Sequence, residues 1–179
     1  MGRDKALIRI DGVPLWERQL RIVEQLAPAQ TFLSGAPRAE WDPARFIVVT
    51  DAVADAGPLA GLVAALRACV TPHLLALAVD LPNITSTYLE RLLADSRGDI
   101  GAVPKNQNNF EPVAAVYPRS CLAAAEQALD QRQYALQTFA ARGVAEGWLI
   151  ARPVSPEEAP LFLNLNTPDD LAVVARHHA

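Results

Sequence analysis

Cysteine and histidine are scarce in this chain, and their scarcity excludes several kinds of site. Among 179 residues there are two cysteines and three histidines. Cys69 and Cys121 are isolated, without the paired spacing of a zinc site or a disulfide framework. His73 and the adjacent histidines at 177–178 form no plausible catalytic or metal-binding set. We therefore expect both thiols to be buried, small apolar groups in a reducing cytoplasm.

Long apolar runs and an excess of basic residues are also missing. The longest apolar candidate, residues 73–79, is far shorter than the roughly 18 to 20 residues needed to span a bilayer. The formal net charge is -4 and the arginines are scattered, so we expect no nucleic-acid or membrane partner. Apolar residues make up 51% of the chain and charged residues 20%, which excludes a disordered chain and predicts a substantial core.

Apolar segments alternate with helical patterns, and this alternation predicts an α/β fold. We expect strands at residues 31–33, 46–50, 73–79, 100–103, 113–117, 148–150 and 161–163. We expect helices at residues 14–26, 58–69, 85–93, 121–129, 134–141 and 169–176. The run at 73–79 is continuously apolar, which is typical of a strand buried on both faces. The pattern predicts a three-layer, mostly parallel, Rossmann-like sheet in a single domain over residues 1–179.

Two charged residues are candidates for binding a triphosphate at the carboxyl ends of the strands, where open α/β sheets bind ligands. Asp80 directly follows the 73–79 segment, and a carboxylate there can hold a divalent cation between phosphate oxygens. The same residue also suits a plain turn in Asp-Leu-Pro-Asn. Lys5 follows Gly2 by three residues and can neutralise phosphate charge, although a solvated lysine is the alternative.

Asp51 and the segment Gly-Pro-Leu-Ala-Gly at 57–61 form a second candidate site. Asp51 ends the predicted strand at 46–50, and its carboxylate can accept hydrogen bonds from the N–H groups of a guanine edge. Gly57 and Gly61 allow a nucleotide to approach the backbone closely, and Pro58 suits the first turn of a helix. A plain capping loop needs the same residues.

Asn164 and Asn166 leave the last predicted strand just before a predicted helix. Asparagine both donates and accepts hydrogen bonds, so either residue suits a polar substrate or a place near a metal. The alternative is that Asn166 or Thr167 caps the helix that begins at Pro168.

In this order, the motifs resemble the molybdenum cofactor guanylyltransferases and related molybdopterin nucleotidyltransferases. The matching pieces are Met-Gly-Arg-Asp-Lys-Ala-Leu-Ile at 1–8, Gly-Val-Pro-Leu-Trp at 12–16, Asp51 with Gly-Pro-Leu-Ala-Gly at 57–61, Asp-Leu-Pro at 80–82 and Asn-Leu-Asn-Thr-Pro at 164–168. They cover nearly the whole chain, and Asp51 with its glycine segment is the most specific. The resemblance implies a fold of the nucleotide-diphospho-sugar transferase type.

The resemblance implies a Mg²⁺-dependent enzyme that transfers GMP from GTP to the molybdopterin cofactor, with release of pyrophosphate. By similarity, Lys5 and Asp80 would be catalytic: Lys5 would contact the triphosphate, and Asp80 would bind nucleotide and Mg²⁺. Asp51 would recognise guanine. Ser34 falls where the family usually has a nucleotide-contacting asparagine, and Asn166 would lie near the metal and the pterin. A cofactor-delivery protein or a molybdoenzyme is a compatible further partner.

The opening strand of that family and its Leu-Ala-Gly-Gly-type turn have no counterpart in this sequence. Backbone N–H groups of the turn would cradle the phosphates, and the strand would lie in the middle of the sheet. Without it, the strands near Phe32 and Leu77 lose a shared partner. We expect the natural start to lie upstream of Met1, which falls where the family often has an internal methionine. The alternative is a natural chain that has lost the strand and binds nucleotide weakly or not at all.

Two other functions remain open at this point. One keeps the enzyme class but changes the substrates, as cytidylyl transfer to the same pterin or nucleotidyl transfer to a sugar or alditol phosphate. The other is a non-catalytic nucleotide-binding protein or accessory subunit. Retention of Lys5, Asp51 and Asp80 argues against the second, and the missing turn argues for it.

Overall fold

In the computed structural model of the protein, residues 5–35, 41–42, 44–51, 53, 56–107 and 109–165 are described. The α-helices in this part are α1 (Leu15–Gln25), α2 (Pro58–Ala68), α3 (Ser86–Asp95), α4 (Leu122–Asp130) and α5 (Leu136–Glu146). The strands are β1 (Arg9–Ile10), β2 (Val13–Pro14), β3 (Phe32–Ser34), β4 (Ile47–Val49), β5 (His73–Leu77), β6 (Gly101–Asn106), β7 (Asn109–Phe110), β8 (Ala114–Pro118) and β9 (Leu149–Pro153). None of these helices has the length and apolar character needed to cross a bilayer.

The main sheet is mixed rather than mostly parallel. β5, β8, β6 and β7 are neighbours in that order, and β9 pairs with β6. β8 runs antiparallel to both β5 and β6, whereas β9 runs parallel to β6. A parallel pair, β3–β4, and an antiparallel pair, β1–β2, stand outside this sheet. The predicted α/β class is confirmed. The expectation of a mostly parallel sheet is met only by two pairings, β3–β4 and β6–β9.

The connections between the strands explain their directions. Only residues 107–113 separate β6 from β8, and they include the short hairpin strand β7. A parallel return needs a crossover of roughly a dozen residues or more, so this connection gives antiparallel neighbours. β9 follows β8 only after α4 and α5, and this longer crossover allows it to run parallel to β6.

Helices cover both faces of the main sheet, which confirms the predicted three layers. On β8, Ala115 and Tyr117 belong to the core cluster that contains residues of α2, α4 and α5. The alternate residues, Ala114 and Val116, pack in clusters with residues of α3. Because successive side chains of a strand point to opposite faces, the two sets of helices lie on opposite sides. The Tyr117 hydroxyl donates to the carbonyl oxygen of Pro112 at 2.7 Å, which satisfies this buried polar group.

β5 is a partly buried edge strand, which corrects the prediction of a strand buried on both faces at 73–79. It pairs with β8 along its whole length, and within the described ranges no strand pairs with its other edge. All five of its residues are only partly buried. β3 is likewise paired only with β4 in this part of the chain. The strands containing Phe32 and Leu77 therefore have no common partner there, as expected from the sequence.

A cavity of about 750 Å³ lies between β3 and β5, and we refer to it as the β3–β5 slot. α1 and α2 contribute further parts of its wall, which is mainly apolar and includes Leu20, Val23 and Leu62. Gln19 of α1 is a buried polar residue in this wall. Its Nε2 donates to the carbonyl oxygen of Leu81 at 2.7 Å, while its buried Oε1 has no hydrogen-bond partner.

The end of the described chain departs from the expected strand. Of the segment predicted as a strand at 161–163, residues 161–162 belong to a 3₁₀ helix, Ala159–Phe162, and Leu163 follows it as the C-cap. Pro160 cannot donate to a strand ladder, and Phe162 packs edge-to-face on Tyr88, with ring centroids 5.3 Å apart. The helix predicted at 169–176 lies outside the described residues.

We expect Thr85→Ala to lower the free energy of unfolding by about 1 kcal/mol. Thr85 is the N-cap of α3, and its side chain accepts a hydrogen bond from the backbone N–H of Tyr88 at 3.2 Å. Thr87, exposed in the first turn of the same helix, gives the matched control, and Thr87→Ala should change stability by less than about 0.5 kcal/mol. Urea unfolding measures both. Equal losses would show that the Thr85 side chain does not act as a cap.

Candidate functional site

Lys5 and Asp80 meet at the carboxyl end of β5. The Lys5 ammonium lies 3.0 Å from Oδ2 of Asp80. Lys5 opens the 3₁₀ helix Lys5–Leu7, and Asp80 lies in the turn that follows β5. The two side chains are 35% and 24% exposed, so both are available to a ligand. The structure thus brings together two residues that were predicted to bind a triphosphate.

A small apolar cluster holds the segments that carry these two charges. Its members are Ile8, Ile10, Leu15, Val79 and Leu165. The backbone N–H of Ile8 donates to the carbonyl oxygen of Lys5, and that of Leu15 donates to the carbonyl oxygen of Ile8. Because Val79 belongs to the same cluster, the residue next to Asp80 is packed against the chain that leads from Lys5 into α1.

Asn164 lies beside the same turn. The backbone N–H of the next residue, Leu165, donates to the carbonyl oxygen of Asp80 at 3.0 Å. Asn164 is exposed, so its amide is accessible next to Asp80. Asn166, the other predicted asparagine, lies outside the described residues.

A second polar group forms at the ends of β3 and β4. Ser34 ends β3, and Asp51 follows the last residue of β4 by two positions. The two strands are parallel, with Ser34 opposite Val49, so the residues after them emerge at the same edge. The Ser34 hydroxyl donates to Oδ1 of Asp51 at 3.0 Å, and both residues are exposed.

The glycines of the 57–61 segment are required for two different reasons. Gly57 is the N-cap of α2 and has a φ of 64°, a left-handed conformation that favours glycine. Gly61 lies inside α2, and a Cβ there would overlap the Ser34 hydroxyl oxygen and lie 3.4 Å from Oδ1 of Asp51. We expected a close approach of the backbone to a ligand at these positions. At Gly61 the structure places the Ser34 side chain there instead.

Both polar groups adjoin the β3–β5 slot. Ala6 and Val79, the chain neighbours of Lys5 and Asp80, line one part of its wall. Ser34 and Gly61 line another part. The slot therefore lies between the two candidate sites, which are carried by different sheets.

The described part of the chain has no group of three or more His, Cys, Asp or Glu side chains that could hold a metal ion by themselves. A divalent cation at Asp80 would therefore share its coordination with ligand oxygens. Mg²⁺ commonly binds in this way, through one or two carboxylates together with substrate phosphates and water. A partly exposed carboxylate beside a lysine fits such a site.

Among the described residues, the two cysteines and His73 have structural surroundings. Cys69 and Cys121 are buried and unpaired, as predicted. Burial raises the pKa of Cys121 to about 12, so this thiol stays protonated at neutral pH. The Nε2 atom of His73 lies 3.2 Å from the carbonyl oxygen of Ile100. These contacts support structural roles for all three residues.

An ion-pair cluster that the sequence did not indicate surrounds Arg152. Its guanidinium donates to Asp95 at 3.1 Å and to Glu158 at 3.0 Å, and it lies 5.1 Å from the ring centre of Tyr88. Burial is the main reason that the pKa of Tyr88 is raised to about 12. Arg91 of α3 lies 3.9 Å from Glu158, so two arginines face two carboxylates and link β9, α3 and the segment after β9. We assign this cluster a structural role.

Similarity to known proteins agrees with the geometry. The chain matches a family model described as the MobA-like NTP transferase domain over residues 1–146. It is 33% identical to a probable molybdenum cofactor guanylyltransferase of Opitutus terrae, an alignment that covers 100% of this chain and 90% of that protein.

Solved structures give the same assignment. Molybdopterin-guanine dinucleotide biosynthesis protein A from Archaeoglobus fulgidus is 26% identical to this chain, with a TM-score of 0.75. The match covers 99% of this chain and 91% of that protein. A second solved structure is a 2-C-methyl-D-erythritol 4-phosphate cytidylyltransferase from Thermus thermophilus, which is 16% identical with a TM-score of 0.73. The match covers 97% of this chain and 92% of that protein, and at this identity it shows the shared fold alone. The chain has the fold of the nucleotide-diphospho-sugar transferases and belongs to the family of the MobA-like NTP transferase domain.

Proposed function

We propose that this protein transfers GMP from GTP to the terminal phosphate of the molybdopterin cofactor. Family membership supports nucleotidyl transfer. The names of the Opitutus terrae and Archaeoglobus fulgidus relatives support guanine as the base and molybdopterin as the acceptor. The observation on which the proposal rests is the contact between Lys5 and Asp80, 3.0 Å apart at the carboxyl end of β5.

The chemistry needs positioned charge more than a protein base. An oxygen of the cofactor phosphate forms a bond to the α-phosphorus of GTP. The bond from that phosphorus to the oxygen bridging the β-phosphate breaks, and pyrophosphate leaves with the electron pair. Because the attacking phosphate is already an anion, no side chain has to remove a proton. Lys5 would neutralise charge on the triphosphate, which favours both the approach of the cofactor phosphate and the departure of pyrophosphate.

Asp80 is the proposed Mg²⁺ ligand. A carboxylate has two oxygens with about four lone-pair sites, so it can bind a cation and still accept a hydrogen bond from an ammonium group. The bound ion would supply charge neutralisation on the phosphate oxygens. Asn164, exposed beside Asp80, suits the pterin side of the same edge.

Asp51 is the proposed guanine-selecting residue. Guanine presents two adjacent donors, the N1–H and the 2-amino group, and one carboxylate can accept both. Adenine and cytosine do not present this pair. Gly57 starts α2 in an exposed position after Asp51, which leaves its backbone accessible to a nucleotide. Cytidylyl transfer remains the second candidate, because the fold is shared with a cytidylyltransferase.

We place this reaction in the cytoplasm. Cys69 and Cys121 are both free, which suits a reducing compartment. The free thiols and the proposed use of GTP support this location.

A further part of the proposal concerns the β3–β5 slot, which we expect to receive an extended apolar strand joined to the chain ahead of Met1. Three observations support this occupant. β3 and β5 each have a strand partner on one side only within the described ranges. The slot walls are mainly apolar, and the buried Oε1 of Gln19 offers an acceptor for a backbone N–H. Ala6, close behind the point where such a strand would join, lines the slot.

Extending the chain with the residues encoded in frame ahead of Met1 tests the occupant. We expect the extended protein to be more stable than residues 1–179 by at least about 3 kcal/mol, because it would bury two or more large apolar side chains. Urea unfolding of both forms measures the difference. The matched control carries serine at the apolar positions of the extension. Equal stability of the extension and its serine control, or upstream codons without an apolar segment, would contradict the proposal.

Asp80→Asn should reduce kcat/KM for GTP by about 100-fold or more, because it removes charge at the transferring phosphate. Release of pyrophosphate from GTP with molybdopterin and varied Mg²⁺ measures it. The pair with Lys5 is partly exposed, so the unfolding free energy should change by less than about 1 kcal/mol. Asp99→Asn is the control and should leave turnover unchanged, because Asp99 is exposed next to Ile100, which contacts the amino-terminal residue of β5 at the end opposite to Asp80. Full turnover of Asp80→Asn would exclude the metal role.

Titration of the protein with GTP, CTP and ATP in the presence of Mg²⁺ tests base selection. We expect GTP to bind at least about tenfold more tightly than the other two, since a bidentate contact to a base contributes roughly 1–3 kcal/mol of discrimination. Asp51→Asn should remove most of this preference, because the amide replaces one of the two accepting oxygens with an NH₂ donor, which cannot accept from guanine. Tighter binding of CTP would favour the cytidylyl alternative.

A further inference from the structure

We propose that Ser34 and Gly61 are positioning residues that fix the orientation of the Asp51 carboxylate and thereby set how sharply the site selects guanine. The inference rests on the proposed role of Asp51 in base recognition. It assigns Ser34 a different role from the direct nucleotide contact that the family resemblance implies.

The hydrogen bond between Ser34 and Asp51 is the first observation. The Ser34 hydroxyl has one proton, and it donates that proton to Oδ1 of Asp51 at 3.0 Å. Both residues are exposed, so an unrestrained Asp51 side chain would exchange among rotamers in solvent. The bond selects one of them and uses only part of the accepting capacity of the carboxylate. The remaining lone pairs stay available for the two donors of guanine.

The packing of Gly61 is the second observation. Glycine is less favourable than alanine inside a helix, yet Gly61 is buried within α2. A Cβ at this position would overlap the Ser34 hydroxyl oxygen, and it would lie 3.1 Å from Cβ of Ser34 and 3.4 Å from Oδ1 of Asp51. The absence of a side chain at Gly61 therefore makes room for Ser34 in the rotamer that reaches Asp51.

The three residues connect three elements at one point. Ser34 ends β3, Asp51 lies in the loop after β4, and Gly61 lies in the second turn of α2. α2 packs against both strands, so it serves as the rigid support for the pair. A carboxylate held in this way can meet the N1–H and 2-amino groups of guanine together. A carboxylate that rotates freely loses the second of these bonds more readily.

Comparison of GTP with inosine triphosphate isolates this effect, because the inosine base keeps the N1–H and lacks the 2-amino group. Isothermal titration of both nucleotides into residues 1–179 with Mg²⁺ measures the preference. We expect Ser34→Ala to reduce the GTP preference about fivefold to tenfold, the size of one net hydrogen bond. Ser34→Thr keeps the hydroxyl and should restore it. Ser120→Ala, at an exposed position outside the site, is the control and should change nothing.

The coupling to Gly61 is tested without nucleotide. Gly61→Ala alone should lower the melting temperature by about 4 °C, because the new methyl group displaces the Ser34 hydroxyl. In the Ser34→Ala background the same substitution should lower the melting temperature by less, because the overlapping oxygen is gone while Cβ of residue 34 still lies 3.1 Å from the new methyl group. If Gly61→Ala acted only through helix propensity, it would change the melting temperature equally in both backgrounds.

The outcomes separate this inference from the proposed function. An unchanged GTP preference in Ser34→Ala overturns the positioning role while leaving Asp51 as the recognition residue. Equal effects of Gly61→Ala in both backgrounds overturn the role of Gly61. Absence of any GTP preference in the unaltered chain, or an unchanged preference in Asp51→Asn, overturns the proposed function and the specificity role that rests on it.

Discussion

The one-sided pairing of β5 is the constraint on which the site depends. β5 leads to Asp80, and it is held by backbone hydrogen bonds to β8 in a register that places Leu77 opposite Ala114. One further bond, from the N–H of Ala78 to the carbonyl oxygen of Val113 at 2.7 Å, continues this support toward the site. Asp80 is thus positioned from the β8 side, whereas on the other side β5 faces the slot. Open strand edges are poor in satisfied backbone groups, so the edge of β5 that faces the slot favours a partner strand.

Local signals in the sequence were sufficient for the helices that frame the site. Pro58 after Gly57 marks the start of α2, and the structure begins that helix at Pro58 with Gly57 as its N-cap. Thr85 marks the start of α3 and caps it. Asp80 could be placed after a strand because the apolar run before it ends abruptly. In each case the information lies within a few residues of the feature, and tertiary contacts did not override it.

Features that depend on distant neighbours could not be predicted in the same way. A continuous apolar run looks the same whether the faces of its strand are fully or only partly covered, so the partial exposure of β5 was missed. The apolar residues at 161–163 satisfy a strand pattern, but Phe162 packs on Tyr88 from a 3₁₀ helix. Ser34 and Gly61 are 27 positions apart, and their contact follows from the packing of α2 on β3. A glycine inside a predicted helix was the available signal for it.

The two halves of the site are carried by different sheets, and this division affects catalysis more than binding. Ser34 and Asp51 are held by the β3–β4 pair, whereas Asp80 is held by the main sheet. Within the described residues no strand pairing crosses the slot, so α1 and α2 relate the two halves through side-chain packing. Base recognition needs only the first half. In-line transfer needs the base, the α-phosphate and the acceptor aligned within about an ångström, which requires both halves in a fixed relation. A strand that bonds to β3 and β5 together would supply that relation, so filling the slot should raise kcat more than it raises the affinity for GTP.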